Sequence, residues 1–298
     1  MSAAGRTKGE DGFALAAAVL LLVVVAAFLL DAALRSRAER AAAWNTSVEV
    51  RARAAARGGL AHALVWLRAL QARTVSAGGG DPASFDAWNR IDALGPELGR
   101  VELPGGGRYT VAVRDPASLL PLNAATADEL RRLFLAFGAG EETARGAALA
   151  VADRRERTGP YGAVEELRGE EWGAALPPEA LAHLTVLGEG RVNLNTASAP
   201  VLGALPGMGD EAVRRVLSRR EGGSAWRNLF ELEGGLSPPA REELQRNFAA
   251  LARRASFEPA LVEVTVEGTV EHARVRTRLR TVGVRAGASV QVVSTVEE

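Results

Sequence analysis

Several residue groupings in this sequence have types and spacing that chemistry uses. Ser198 in NTAS offers a hydroxyl nucleophile. Glu165, Glu166, Glu170 and Glu171 gather carboxylates of the kind that hold a hard cation. Glycine runs at 78–80 and 105–107 have the freedom of phosphate loops, and Arg214, Arg215, Arg219 and Arg220 follow the glycine-bearing LPGMG of 205–209. Most of these groupings read as structural. Ser198 opens a helix rather than a strained strand-to-helix elbow. Neither glycine run is followed by Lys-Ser/Thr, so neither makes a phosphate loop. The acidic cluster lacks EF-hand spacing and names no metal ligand. Asp153 and Glu156 alternate with Arg154, Arg155 and Arg157, the pattern of a solvated helix end. His62, His183 and His272 are far apart, none with a second histidine at ligand spacing. Cysteine is absent, which removes disulfides, thiolate metal sites and thiol nucleophiles together. No catalytic set remains: the chain is not expected to be an enzyme, and no small-molecule substrate is implied. A secreted hydrolase behind an anchor has no residues to support it.

The bulk numbers agree. The 298 residues suffice for one or two domains with a proper core, and 36 Lys+Arg balance 36 Asp+Glu. Without a global basic field, nucleic acid is not an expected partner.

The elements that must carry any function begin with Phe13–Leu30, FALAAAVLLLVVVAAFLL, which holds no charge. At about 1.5 Å per residue it spans roughly 27 Å, enough for a bilayer core. A cleaved secretory signal is one reading of it, with Ala32-Ala33 mimicking part of a cleavage site. The other is a retained anchor, because helical patterning continues beyond it. Leu60, Leu64, Leu67 and Leu70 recur at helical spacing beside Arg51, Arg53 and Arg57. That predicts one very long helix, half in lipid and half amphipathic, with Gly58-Gly59 as a bend.

The middle of the chain is duplicated. LPLNAATADELRRLFLAF from Leu120 matches VNLNTASAPVLGALPGMG from Val192: Leu122-Asn123 aligns with Leu194-Asn195, Thr126 with Ser198, and Leu130 and Leu133 with Leu202 and Leu205. Each unit reads as two helices around a glycine turn. Asn123 and Asn195 are expected to set local turns, and Thr126 and Ser198 to cap helices. Pro200 fits a first helical turn, and Val213, Val216 and Leu217 supply a buried stripe. The second unit resembles a helix-hairpin-helix motif, in which N–H groups at the glycine turn hold a DNA phosphate. That places Gly207, Gly209, Arg214 and Arg215 as anion or DNA contacts of an alternative reading, a membrane-anchored DNA-binding receptor of the competence type. The first unit carries Glu141 and Glu142 at the matching turn, where a phosphate is repelled.

Strand signals flank the helices. Gly99–Leu103 and Arg108–Arg114 surround PGGG as a β-hairpin. The C-terminal stretch alternates, with Val262, Val264 and Val266 on one side and Glu263, Thr265 and Glu267 on the other. Turns are expected at Gly268 and Ala286-Gly287, giving an antiparallel sheet with one wet face.

The leader MSAAGRTKGEDG ending at Gly12-Phe13, the long apolar helix, Ala17 at the fifth position after that glycine, PLNAA, VNLNTAS and the closing strands together resemble general secretion pathway protein K, the large minor pseudopilin of type II secretion systems. The resemblance covers nearly the full chain, apart from 74–100. It implies an α+β fold: a long N-terminal pilin-type helix packed on a small antiparallel sheet, with a large all-α insertion containing the two helix-hairpin-helix-like units. The implied segments are a prepilin leader 1–12, a transmembrane and amphipathic helix 13–75, a linker and first strands 76–118, a helical insertion 119–255 with repeats near 119–168 and 191–236, and C-terminal strands 256–298. In that family a prepilin peptidase cuts after the glycine, here Gly12, and the new N-terminal residue, here Phe13, is methylated. Most pilins carry glutamate where Ala17 stands; the K branch lacks it, which fits a place at the filament tip. The implied role is nucleation of the filament with the I- and J-type minor pseudopilins and the major pseudopilin, for export of folded proteins. The implied location is the bacterial inner membrane, single-pass, in contact with lipid, with the globular part in the periplasm. No resident cofactor follows; some relatives bind calcium through carboxylates and carbonyls.

Overall fold

A computed structural model describes residues 8–76, 82–92, 98–287 and 289–298. Residues 1–7 of the leader and the glycine run at 78–80 lie outside the described residues.

Helix α1 runs unbroken over Lys8–Ser76, 69 residues. Alanine, leucine and arginine dominate it, and these residues lose little on entering a helix. No described side chain is buried before Val48. From there Val48, Ala52, Ala55, Ala56, Ala63, Leu67 and Leu70 form a buried stripe, while Leu60 and Leu64 flank it half-exposed. The helix continues through Gly58-Gly59, the expected bend, without a break in its helical assignment. Gly58 faces open space, whereas a Cβ on Gly59 would lie 2.6 Å from the Tyr109 ring and 2.7 Å from Val266. Gly59 is therefore a point of close approach to the sheet.

That sheet is a five-stranded antiparallel meander, β1 (Arg100–Leu103), β2 (Gly107–Arg114), β3 (Leu261–Val270), β4 (Arg276–Ala286) and β5 (Ser289–Glu297), in sequence order. Val262, Val264 and Val266 face α1 and are buried with Val111, Val113, Leu279 and Val290. Gly268 is not a turn. It lies inside β3, opposite Thr277 and Tyr109, and a Cβ there would meet the Ala52 carbonyl oxygen at 2.1 Å. The chain turns instead at 271–275, where His272 takes φ 60. The outer face is not uniformly wet. Residues 162–165 and 184–187 line a 470 Å³ cleft with Arg114, Glu263, Arg280 and Val296.

Between β2 and β3 the chain leaves the sheet to build the helical block, which has its own apolar core around Leu130, Phe134, Leu194, Leu202 and Trp226. A short helix α2 (Pro82–Trp88) precedes the sheet; in the block, the first unit contains α3 (Ala127–Ala136) and α4 (Glu141–Thr158). The second contains α5 (Ala199–Ala204), α6 (Asp210–Glu221), α7 (Leu229–Glu233), α8 (Pro238–Arg246) and α9 (Phe248–Arg254). Each unit is closed by a short parallel pairing of its two ends, Leu120-Pro121 with Leu184-Thr185 and Val192-Asn193 with Ala255-Ser256. The asparagines do not set local turns. Asn123 exchanges two hydrogen bonds with the Tyr161 backbone (2.9 and 2.8 Å), and Asn195 does the same with Trp226 (2.8 and 2.6 Å). Each amide thus substitutes for a strand partner across a long loop and satisfies buried backbone groups.

Candidate functional site: a bare apolar helix and a duplicated helical block

The first half of α1 is a surface with no partner among the described residues. Phe13 is 78% exposed, Leu22 68% and Phe28 73%. Water does not tolerate a contiguous apolar surface of this size, so lipid or other helices must cover it. It is one helix long and apolar enough to cross a membrane. The charge-free run ends at Asp31, which pairs with Arg35 at 2.9 Å. From Asp31 to Val48 the helix continues as a bare stalk of about 25 Å, carrying Trp44 at 60% exposure. Gly12 and Phe13 lie in the first turns of α1, and Ala17 is exposed on it.

The two hairpins answer the DNA alternative residue by residue. Gly207 takes φ +73, as the motif requires, but a Cβ on it would strike Asn247 at 2.7 Å. Gly209 is the N-cap of α6, and the Glu243 carboxylate stands 2.7 Å from where its Cβ would be. The turn that would approach a phosphate is therefore closed by α8 and α9, with a carboxylate already beside it. Of the arginines, Arg220 turns inward and donates to the Ala197 carbonyl at 2.6 Å. Arg219 pairs with Glu231 at 2.8 Å and stacks on Trp226 at 4.3 Å. Arg215 packs over Gly235 beside Trp226, and Arg214 is exposed. In the first unit, Glu141 at the hairpin is held by Arg131 at 2.9 Å.

Of the other sequence candidates, Ser198 is the N-cap of α5, but its hydroxyl makes no cap bond and is buried without a partner. Thr126, by contrast, completes a reciprocal capping box with Glu129, at 3.2 and 2.7 Å. Glu129 also receives Arg254 at 2.9 Å, which ties the units together. In the acidic cluster, Glu166 accepts the Gly162 and Ala163 N–H groups and Arg154, which holds its carboxyl below the usual range. Glu170 also lies on Arg154, and among the described residues no group of three His, Asp or Glu is placed to hold a metal.

A polar joint between the block and the sheet escaped sequence reasoning. Asp115, fully buried at the end of β2, accepts from Asn193 Nδ2 (2.8 Å), Thr196 Oγ1 (2.7 Å) and Ala117 N–H (2.9 Å). Asn193 also donates to Asn89 Oδ1 at 3.1 Å. Burial pushes the Asp115 carboxyl up, opposed by those hydrogen bonds. Asp92 is exposed over much of its surface, yet its Oδ1 accepts the Asp115 N–H at 2.9 Å inside the joint. Desolvation there pushes it up to about 6.

Residues 192–250, most of the second unit, match the family model of protein K of the type II secretion system. Among curated proteins, none matches the sequence. The fold is similar to a chain in the crystal structure of the GspK-GspI-GspJ complex from the type 2 secretion system of enterotoxigenic Escherichia coli. The TM-score is 0.51 at 15% identity, with 76% of this chain and 96% of that chain covered. The matched segment and the shared fold, carried behind a single apolar anchor helix, together support a K-type minor pseudopilin of a type II secretion system.

Proposed function

We propose that the chain caps the tip of a secretion pseudopilus, where it nucleates the filament with I- and J-type minor pseudopilins and the major pseudopilin. The observation that carries this reading is the anatomy of α1: an apolar half bare on every side, continuous with a half docked on a small sheet. Such a helix is at home first in a bilayer and then among neighbouring helices of a filament. The duplicated block, an insertion of 146 residues between β2 and β3 (115 to 260), makes the head far bulkier than the sheet needs. Bulk of this kind suits a terminal subunit better than a repeating one.

In this reading the prepilin peptidase cuts between Gly12 and Phe13, and Phe13 becomes the methylated N-terminus. The head lies in the periplasm, and the protein performs no chemistry on a substrate. Its work is packing: α1 against partner helices, and the block outward. Ala17 stands where most pilins carry glutamate, a departure that fits a place at the filament tip.

Co-expression with the I- and J-type minor pseudopilins of the same system tests the assembly. The expected result is a ternary complex that copurifies in detergent. Replacement of Leu22 and Val25 by arginine should weaken it while leaving the head folded. Failure of the unaltered chain to copurify with either partner would sink the tip role. The competence-receptor reading has Arg214 in its favour, but the carboxylate beside Gly209 and the covered Gly207 turn weigh against it.

A further inference from the structure

We propose that the cleft framed by Arg214, Arg215 and Arg219 on the outer face of α6 docks an acidic protein segment that presents closely spaced carboxylates. The cleft has a volume of 410 Å³ and is lined by those three arginines, Glu211, Ser218, Trp226 and Gly235.

The duplication supplies the first argument. Counted from the N-caps Gly140 and Gly209, Arg145, Gly146, Leu149 and Ala150 of α4 stand where α6 carries Arg214, Arg215, Ser218 and Arg219. In α4 this face is unspecialised: Gly146 looks onto open space and Leu149 is 56% exposed. The same scaffold in the second unit has three cations and a hydroxyl. The first unit folds with one cation on this face, Arg145, so the hairpin scaffold itself does not call for the other two.

Charge is the second argument. Glu211 spends both carboxylate oxygens on the Ser237 N–H (2.7 Å) and hydroxyl (2.6 Å), and so anchors the start of α8. Glu231 answers Arg219. Arg214 and Arg215 have no carboxylate at ion-pair distance among the described residues. Glu211 feels both charges, but its oxygens are taken by Ser237, so the two guanidiniums keep hydrogen-bond donors for an outside group.

Preorganisation is the third. Arg215 sits in the notch left by Gly235, 5.8 Å from the Trp226 ring, and Arg219 is clamped between Glu231 and that ring. A guanidinium held in place gives up little entropy when it forks onto a carboxylate. The three arginines form a local patch on one face of a single helix, which suits a short acidic segment better than a continuous phosphate backbone.

The proposal stands on α6 alone and holds whether or not the chain is cut at Gly12. The test uses the full chain in neutral detergent and a fluorescent decapeptide of alternating Asp and Glu, with a short DNA duplex as the competing probe. Anisotropy should show salt-sensitive peptide binding that falls about tenfold or more in the Arg214→Glu/Arg215→Glu variant. Arg214→Glu alone, at an exposed position outside the Trp226 stack, should lose part of it without a change in melting temperature. Arg145→Glu on the matching face of α4 should lose none. No peptide binding by the unaltered chain, or equal binding by the double variant, overturns the proposal. Tighter binding of the duplex than of the peptide, lost on the same substitutions, assigns the cleft to nucleic acid instead.

Discussion

The two halves of α1 share one unbroken backbone, yet they live in different solvents. Before Val48 no described side chain is buried; after it, alanine and glycine bring the helix against β3 closely enough that Gly59 and Gly268 touch side chains and backbone across the gap. The first half is made of large residues, Leu, Val and Phe, that fill lipid or a neighbour's grooves. The second is stabilised by small ones, because close approach to a sheet leaves no room for more. Helical propensity does not distinguish the halves. What each half is asked to touch does.

The largest test of that contrast is Gly268→Val. Its Cβ would fall 2.1 Å from the Ala52 carbonyl oxygen, a backbone atom that cannot rotate away. Undocking of α1 and a loss of about 3 kcal/mol or more are expected, read as a lower melting temperature and new protease cleavage in the second half of α1. Leu22→Arg, in the bare half, should leave head stability unchanged while costing about 3–4 kcal/mol in membrane insertion. A glycosylation-mapped insertion assay beside a melt of the head separates the two effects.

Adjacent glycines offer a finer probe. Gly59→Ala should destabilise by about 1–3 kcal/mol, since Tyr109 and Val266 must move. Gly58→Ala, facing open space, should stabilise by about 0.5–1 kcal/mol through helix propensity alone. Equal effects would mean that the helix does not pack as described.

The smallest effect concerns pH at the joint. Burial raises the folded-state values of Asp92, to about 6, and of Asp115. The folded state then binds protons more tightly than the unfolded one. This contribution to stability is complete below the ordinary aspartate range and is lost as pH rises through about 6. Melting temperature should fall from this source between pH 4.5 and 6.5, and Asp92→Asn should flatten the slope. A variant with the full slope intact would remove Asp92 from the joint.

Much of this was legible because some sequence signals have few alternatives. Eighteen uncharged residues from Phe13 to Leu30 admit no polar face. Repeated Leu-Asn pairs mark repeated units, and Thr126 before an apolar run announces a cap that the structure completes through Glu129. The fold class followed from the family resemblance that these residues and the closing strands carry. What stayed hidden needs a distant partner. Asn123 and Asn195 look like turn residues until Tyr161 and Trp226 come into reach. Gly59 read as a bend and Gly268 as a turn because glycine's freedom and its small size leave the same letter. Ser198 had the right position for a cap, but no bond to its hydroxyl forms. The Asp115 joint draws on residues from 89 to 196, and no local pattern links them.

The anchor's origin is the central claim, and intact mass with N-terminal sequencing tests it most directly. The full chain is expressed with and without an active prepilin peptidase. The account predicts a mature protein that begins at methylated Phe13 and retains the whole apolar helix, formed only when the peptidase is present. Cleavage near Ala33, or an uncut chain in both strains, would contradict it.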